Sequence, residues 1–192
     1  MSKWHIQPPA RHSLPALVAA VPELTTARLR LRAPSLADVP LLQEINDSVA
    51  DVSLRTGGED GTWHDLVQMT ATWLLRGHGW WTVEDAEDAC GFVGLGFEPG
   101  DREPELGYLL ASAARGKGYA TEACAAARDY AWTGAHLPSL VSYISDDNAA
   151  SQNVARKLGA ARDAAAEAEL HRAGETGVQV WRHPNPAGER YD

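Results

Sequence analysis

The chain has 192 residues, 44% of them hydrophobic, enough for one substantial core but hardly two. A formal net charge of −9 argues against a nucleic-acid binder, whose surface must neutralise phosphates, and tilts the chain toward cationic ligands. Two distant cysteines, Cys90 and Cys124, give neither metal spacing nor a disulfide framework and fit a reducing, cytoplasmic setting, and no apolar run reaches the ~20 residues of a membrane span.

Residues 1–22 carry Pro8, Pro9, His5 and His12, and their apolar stretch LPALVAAVPEL is broken by Pro15 and Pro22, so they are expected to form a loosely ordered arm. LTTARLRLRAP at 24–34 alternates Leu29 and Leu31 with Arg28, Arg30 and Arg32, the period of a half-buried strand that ends at Pro34. Ser35 then precedes LADVPLLQEIND, and Thr62 precedes WHDLVQMTATWLLRG, where Leu66, Met69, Trp73 and Leu74 recur at helical spacing until Gly77. WWTVED, a polar turn and CGFVGLGFEPG predict an antiparallel hairpin, and ELGYLLA at 105–111 predicts a further strand. TEACAAARDYAW is built from strong helix formers, LVSYIS at 140–145 reads as a strand, and NAASQNVARKLG reads as a helix stopped by Gly159. DAAAEAEL at 163–170 fits helix or strand, and VQVWRH at 178–183 predicts a last strand. The expected architecture is one domain over 23–184 with a tail at 185–192, mixed α/β (α+β) with a largely antiparallel sheet and four helices.

The segment RGKGYATEA at 115–123 sets two glycines and two cations at the mouth of the alanine-rich helix. A helix N-terminus leaves about four backbone N–H groups unpaired and carries roughly half a positive charge. Gly116 and Gly118 allow close approach and positive φ, so successive amides can converge on one phosphate group while Arg115 and Lys117 add charge. The alternative is an ordinary glycine turn with a solvated Arg and Lys. The glycine spacings of Walker and dinucleotide-binding loops are absent, and the triplet Gly91, Gly94 and Gly96 reads better as a kinked hairpin strand.

Arg115-x-x-Gly118-x-Ala120, preceded by ELGYLL and followed by NAASQNVARKLGA, resembles the acyl-CoA-binding signature of the GNAT superfamily of N-acetyltransferases. The likeness covers roughly residues 24–183, and LTTARLRLRAP with GKGYATEA resembles the branch of the ribosomal-protein alanine N-acetyltransferases. The resemblance implies a seven-stranded mixed sheet that splays between its fourth and fifth strands, ELGYLL and LVSYIS, with acetyl-CoA as co-substrate in the gap. It implies that the pyrophosphate sits on Arg115, Gly116, Lys117, Gly118, Tyr119 and Ala120, with pantetheine against the backbone near Leu109 and Leu110. Asn148 matches the family's asparagine after the second splayed strand, and it also fits an N-cap.

The resemblance implies thioester chemistry, which sets three tasks. A strand amide, that of Tyr108 or a neighbour, would stabilise the oxyanion, a contribution of about 3 kcal/mol or more. A hydroxyl must assist thiolate departure; the tyrosine common in the superfamily seven residues after the asparagine is Ala155 here, and the resembling branch places a serine at Ser151. Ser151 is alternatively a solvent-facing helix serine. Amine deprotonation falls to Glu105, where the family often has a glutamate, with Glu103 and Glu84 as alternates; a solvated strand carboxylate is the plainer reading of Glu105. A terminal amine of pKa ~8 is roughly a tenth neutral at pH 7, whereas an amine of pKa ~10.4 is neutral in about one molecule in 2,500, some ~3 kcal/mol more demanding.

Trp63, Trp73, Trp80 and Trp81 lie on elements that wall the acceptor pocket in the family, and each also fits core packing; strand alternation sends Trp80 and Trp81 to opposite faces. Trp80, Trp81 and Glu84 are the expected acceptor-binding residues. The histidines are scattered, with no metal-ligand spacing, so no metal is expected. The expected partners are acetyl-CoA and an amine, with no nucleic acid and no membrane, in a monomer or homodimer. The acidic surface and the tryptophans favour a small-molecule amine; a protein N-terminus, or a non-catalytic acyl-CoA sensor suggested by Ala155, are the competing readings.

Overall fold

The computed structural model describes residues 21–48, 58–98 and 100–186. Residues 1–20 of the expected arm and 187–192 of the tail lie outside the described residues. Eight strands form one sheet: β1 (Leu24–Thr25), β2 (Arg30–Arg32), β3 (Trp80–Glu84), β4 (Ala89–Gly96), β5 (Glu105–Leu110), β6 (Val141–Ser145), β7 (Ala161–Arg162) and β8 (Val178–Arg182). Their order is β1-β2-β3-β4-β5-β6-β8-β7, with every neighbouring pair antiparallel except the parallel β5–β6 pair. The helices are α1 (Val39–Ser48), α2 (Gly58–Arg76), α3 (Tyr119–Thr133), α4 (Ala149–Lys157) and α5 (Ala164–Arg172). No helix among the described residues is long and apolar enough to cross a membrane.

The mixed, mostly antiparallel sheet agrees with the sequence, but the strand count is eight where seven were expected. The stretch 24–34 does not run as one strand because the Thr26 hydroxyl takes the Leu29 N–H at 2.9 Å, and the paired backbones of Thr26 and Leu29 close a tight turn. Leu29 and Leu31 still face the core while Arg28 and Arg30 stay exposed, as the alternation requires. The ambiguous DAAAEAEL stretch becomes α5, capped by the Asp163 carboxylate on the Ala166 N–H at 3.0 Å. Thr62 does not begin α2. It is buried in the second turn, where its hydroxyl donates to Gln43 Oε1 at 2.7 Å and ties α2 to α1.

The two sheet faces carry separate cores. On one, Trp81, Val83, Val93, Leu95, Leu106 and Leu110 pack against Ala123, Cys124, Ala127 and Ala131 of α3. Alanines at four-residue spacing leave no bulk between helix and sheet, so α3 lies close to β4 and β5 and its N-terminus is fixed relative to the strand that precedes it. On the other face, Phe92, Ala111 and the partly buried Trp80 and Leu109 pack against Leu42 and Ile45 of α1 and Leu66 and Met69 of α2.

Candidate active site

The parallel pair β5–β6 is joined at a single rung, Glu105 opposite Val141, with the Val141 N–H on the Pro104 carbonyl at 3.0 Å. In a continued parallel ladder the next bond would run from the Tyr143 N–H to the Leu106 carbonyl. Side chains take both groups instead. The Ser142 hydroxyl donates to the Leu106 carbonyl at 2.7 Å, and the Tyr143 N–H donates to Glu105 Oε1 at 3.3 Å. With the rung occupied from both sides, the strands part and a cavity of about 190 Å³ opens, lined among others by Tyr108, Cys124, Tyr143, Ser151, Ala155 and Leu158.

The phase of β5 fixes which backbone groups face this gap. The Ala111 N–H bonds the Cys90 carbonyl at 3.1 Å, so in the antiparallel register with β4 it is the N–H groups of alternate residues, Leu109, Gly107 and Glu105, that turn toward β4. The N–H groups of Tyr108 and Leu110 point the other way, into the gap. The resemblance assigned the amide of Tyr108 and the backbone of Leu110 to this place; Leu109 spends its own N–H on β4.

Beyond β5 the chain passes through a short helical turn at Ser112–Ala114 to the glycine loop. Gly116 and Gly118 both adopt positive φ, +77° and +83°, and Gly118 is the N-cap of α3. A trans peptide points its carbonyl and its N–H in opposite directions. Arg28 Nη1 holds the Lys117 carbonyl at 2.9 Å, so the Gly118 N–H points away from that guanidinium. Arg28 is itself anchored by Glu122 through Nε at 2.7 Å and through its backbone N–H at 2.9 Å, and Thr26 donates to the same carboxylate at 2.6 Å. Glu122 thus latches the β1–β2 turn onto the first turn of α3. The Arg115 guanidinium is engaged with the Leu110 carbonyl at 3.3 Å and Ser48 Oγ at 3.2 Å, so it braces the loop more than it offers free charge. The Tyr119 ring is flanked by the Arg28 guanidinium at 4.9 Å and the Lys117 ammonium at 5.7 Å, which leaves cationic groups beside the loop.

Across the gap, Asn148 caps α4 by accepting the Ser151 N–H at 3.0 Å, and this bond orients Ser151 toward the cavity. Ser151 Oγ lies 3.0 Å from the Tyr108 hydroxyl. Burial pushes the Tyr108 phenol above its ordinary pKa, against the opposing pull of Ser151, so it stays protonated. Glu105 is part-buried, and burial pushes its carboxyl up to about 7 against the Tyr143 N–H bond, with Asp101 and Glu98 adding negative charge nearby. Trp80 shares the Glu105 face: its ring lies over Gly94 and Gly107, where an added Cβ would stand 2.3 Å and 3.0 Å from ring atoms.

The profile of the family described as Acetyltransferase (GNAT) domain matches residues 28–161. An acetyltransferase from Agrobacterium tumefaciens str. C58 is 34% identical, with 85% of this chain and 95% of that chain covered at a TM-score of 0.71. The chain belongs to the GNAT acetyltransferase family. Membership makes it an acyl-CoA-dependent N-acetyltransferase. Two more distant structures share the fold. Microcin C7 self immunity acetyltransferase MccE, solved in complex with acetyl-CoA and AMP, is 16% identical, with 82% of this chain and 92% of that chain covered at a TM-score of 0.62. RimL, a ribosomal L7/L12 alpha-N-protein acetyltransferase solved with coenzyme A, is 20% identical, with 84% and 97% covered at a TM-score of 0.63.

Within this GNAT acetyltransferase the expected residues divide. Glu105, Tyr108, Asn148 and Ser151 line the cavity in the split between β5 and β6, the Trp80 ring lies over Gly107 of its lining, and the glycine loop follows β5 at the start of α3. Trp81 is not among them. It is 0% exposed, stacks edge-on against Trp73 at 4.7 Å and Tyr130 at 5.3 Å, and donates its Nε1–H to the Pro22 carbonyl, so it is core and cannot touch an acceptor. Glu84 sits at the far end of β3 and is spent on Arg30, at 2.9 Å, and on Arg32. Glu103 forms a two-pronged pair with Arg182 at 2.7 Å, which holds its carboxyl below the usual range and unsuits it as a base at neutral pH. Two residues had gone unnoticed. Ser142 and His183, 41 apart in sequence, meet at 3.0 Å below the gap, and no local pattern marks either.

Proposed function

We propose that this acetyltransferase moves the acetyl group of acetyl-CoA to the primary amine of a small cationic molecule. The observation that carries the reading is the division of groups across the split sheet, with Glu105 and Trp80 on one face and Tyr108 and Ser151 on the other. In this scheme the glycine-loop amides at Gly116, Gly118, Tyr119 and Ala120 bind the pyrophosphate, and the Leu110 amide pairs with pantetheine. Glu105, with its pKa near neutrality, takes a proton from the bound ammonium directly or through water. The neutral amine attacks the thioester carbonyl, and the Tyr108 N–H receives the developing oxyanion. Ser151 supplies the hydroxyl that assists departure of the thiolate.

The acceptor class rests on charge. Asp101 and Glu98 lie close enough to Glu105 to raise its pKa, so the approach to the base is acidic and favours a cation. The Trp80 ring beside it offers a face on which an ammonium group can rest. A protein N-terminus is the second reading, and RimL, which shares the fold, is a protein acetyltransferase. A thiol-release assay with acetyl-CoA and a panel of polyamines, aminoglycosides, amino acids and alanine- or serine-ended peptides decides between them. Turnover confined to peptides overturns the small-molecule reading, and turnover confined to polyamines or aminoglycosides supports it.

A further inference from the structure

The serine assigned to thiolate departure has a difficulty of its own, since an alcohol is a poor acid toward a thiolate whose conjugate acid has a pKa near ~8.5, like a cysteine. A phenol near ~10 is much better matched. The Tyr108 hydroxyl stands 3.0 Å from Ser151 Oγ, in the cavity that Ala155 also lines one turn further along α4. A serine hydroxyl has one hydrogen and two lone pairs. When it accepts from Tyr108, its own hydrogen is free to turn into the cavity. Ser151 cannot drift from this position, because its N–H is fixed by the Asn148 side chain.

We infer that Tyr108, arriving from β5, is a relay residue that acts through Ser151 and replaces the phenol that Ala155 cannot provide. The inference rests on the acetyl-transfer reading above. The departing thiolate takes the Ser151 hydrogen as Ser151 Oγ takes the hydrogen of Tyr108. The C–S bond has then broken with its electron pair on sulfur, the thiol is complete, and Tyr108 is left as a phenolate. The amine has meanwhile lost two protons, one to Glu105 and one on collapse to the amide. One replaces the proton Tyr108 gave, and the other leaves to solvent. The groups that face the phenol are Ser151 on α4, the Cys124 thiol on α3 and the Arg115 guanidinium in the loop. Cys124 is 1% exposed and burial pushes its pKa up to about 12, so it is a packing residue and not a competing acid.

The test uses the full chain, acetyl-CoA and the amine of the panel with the highest turnover. Tyr108→Phe should lower kcat by about 10²-fold while KM for acetyl-CoA and the melting temperature stay near wild type. Because the two hydroxyls serve one proton path, Tyr108→Phe/Ser151→Ala should be no slower than Ser151→Ala alone. A fluorinated tyrosine in place of Tyr108, whose phenol ionises at lower pH, should carry the alkaline fall of kcat down with it. Wild-type turnover with an unchanged kcat in Tyr108→Phe, defects that multiply in the double variant, or an alkaline limb indifferent to fluorination each overturn the relay and leave the acetyl-transfer reading standing. Absence of turnover in the wild-type chain overturns both.

Discussion

Replacing Glu105 by glutamine removes the proposed base and keeps its structural bond, because the amide oxygen still accepts the Tyr143 N–H. With a carboxyl pKa of about 7, wild type holds roughly half of its base ionised at pH 7 and about a tenth at pH 6, so kcat/KM should fall about fivefold over that unit and about tenfold per unit below it. The direction follows from the chemistry: the base must be deprotonated, so activity is lost as pH falls through 7. Without the base, only amine that has already lost its proton to solvent can react, about one molecule in 2,500 at pH 7 for a polyamine-like group of pKa ~10.4. Glu105→Gln should therefore lose on the order of 10²- to 10³-fold in kcat/KM at pH 7, within the range of general-base catalysis. The deficit should shrink about tenfold for each unit of rising pH, as the free amine supplies its own neutral form. Initial rates of thiol release from acetyl-CoA between about pH 5.5 and 9 read this directly, with the melting temperature as the control for folding. An acid limb that stays near pH 7 in the variant, or a loss below about tenfold, refutes the assignment of Glu105.

Gly118→Ala places a side chain at a φ of +83°, at a cost of about 1–2 kcal/mol, with its Cβ 3.4 Å from the Arg28 guanidinium; coenzyme A affinity measured by calorimetry should fall about tenfold or more. Ser142→Ala leaves the Leu106 carbonyl and the His183 Nε2–H without partners, which should cost about 2 kcal/mol by denaturant titration and lower coenzyme A affinity as the gap loses its wedge. His183, 3% exposed, has its pKa lowered to about 4 by burial first and then by Arg128, so the unfolded chain takes up the proton sooner as pH falls. Stability should thus decline between about pH 6.5 and 4 by roughly 3 kcal/mol, and a melting temperature no more acid-sensitive than that of His183→Gln would contradict it.

The glycine loop was legible because its information is local. Two glycines, two cations and a run of helix formers state where a helix begins and which amides it leaves free; what they do not state is that Arg28, held by Glu122, takes the Lys117 carbonyl and that Arg115 braces the loop. Strand alternation was equally local, and it separated Trp80 from Trp81. What alternation could not show is which face carries the deeper core, and that depends on α3 docking its alanines against Trp81 from some 40 residues away. Glu84 misled for a similar reason: its partners Arg30 and Arg32 are set by the β2–β3 register, which the spacing within either strand does not reveal. Ser142 and His183 are the extreme case. A serine in a β-branched strand and a histidine at the end of another become one unit only when β6 and β8 pair, so neither carries a signal before folding.

The broken rung between β5 and β6 joins the fold to the chemistry. A splayed pair of strands ordinarily leaves peptide groups unpaired, at about 1–3 kcal/mol for each buried one. Here the two groups of the first missing rung are satisfied by Ser142 and Glu105, so opening the gap at that rung costs little. The next donor along that unfinished ladder is the Tyr108 N–H, which a paired sheet would spend on the Tyr143 carbonyl. Stopping the ladder one rung early thus leaves that N–H for the oxyanion role proposed above, while Glu105, three residues back along β5, has its carboxyl pKa pushed up by burial. The side chain of the same Tyr108 drops to the opposite face, where Ser151 waits. Alternation along β5 therefore places the proposed base, Glu105, and the proposed proton source, Tyr108 with Ser151, on opposite faces of the sheet.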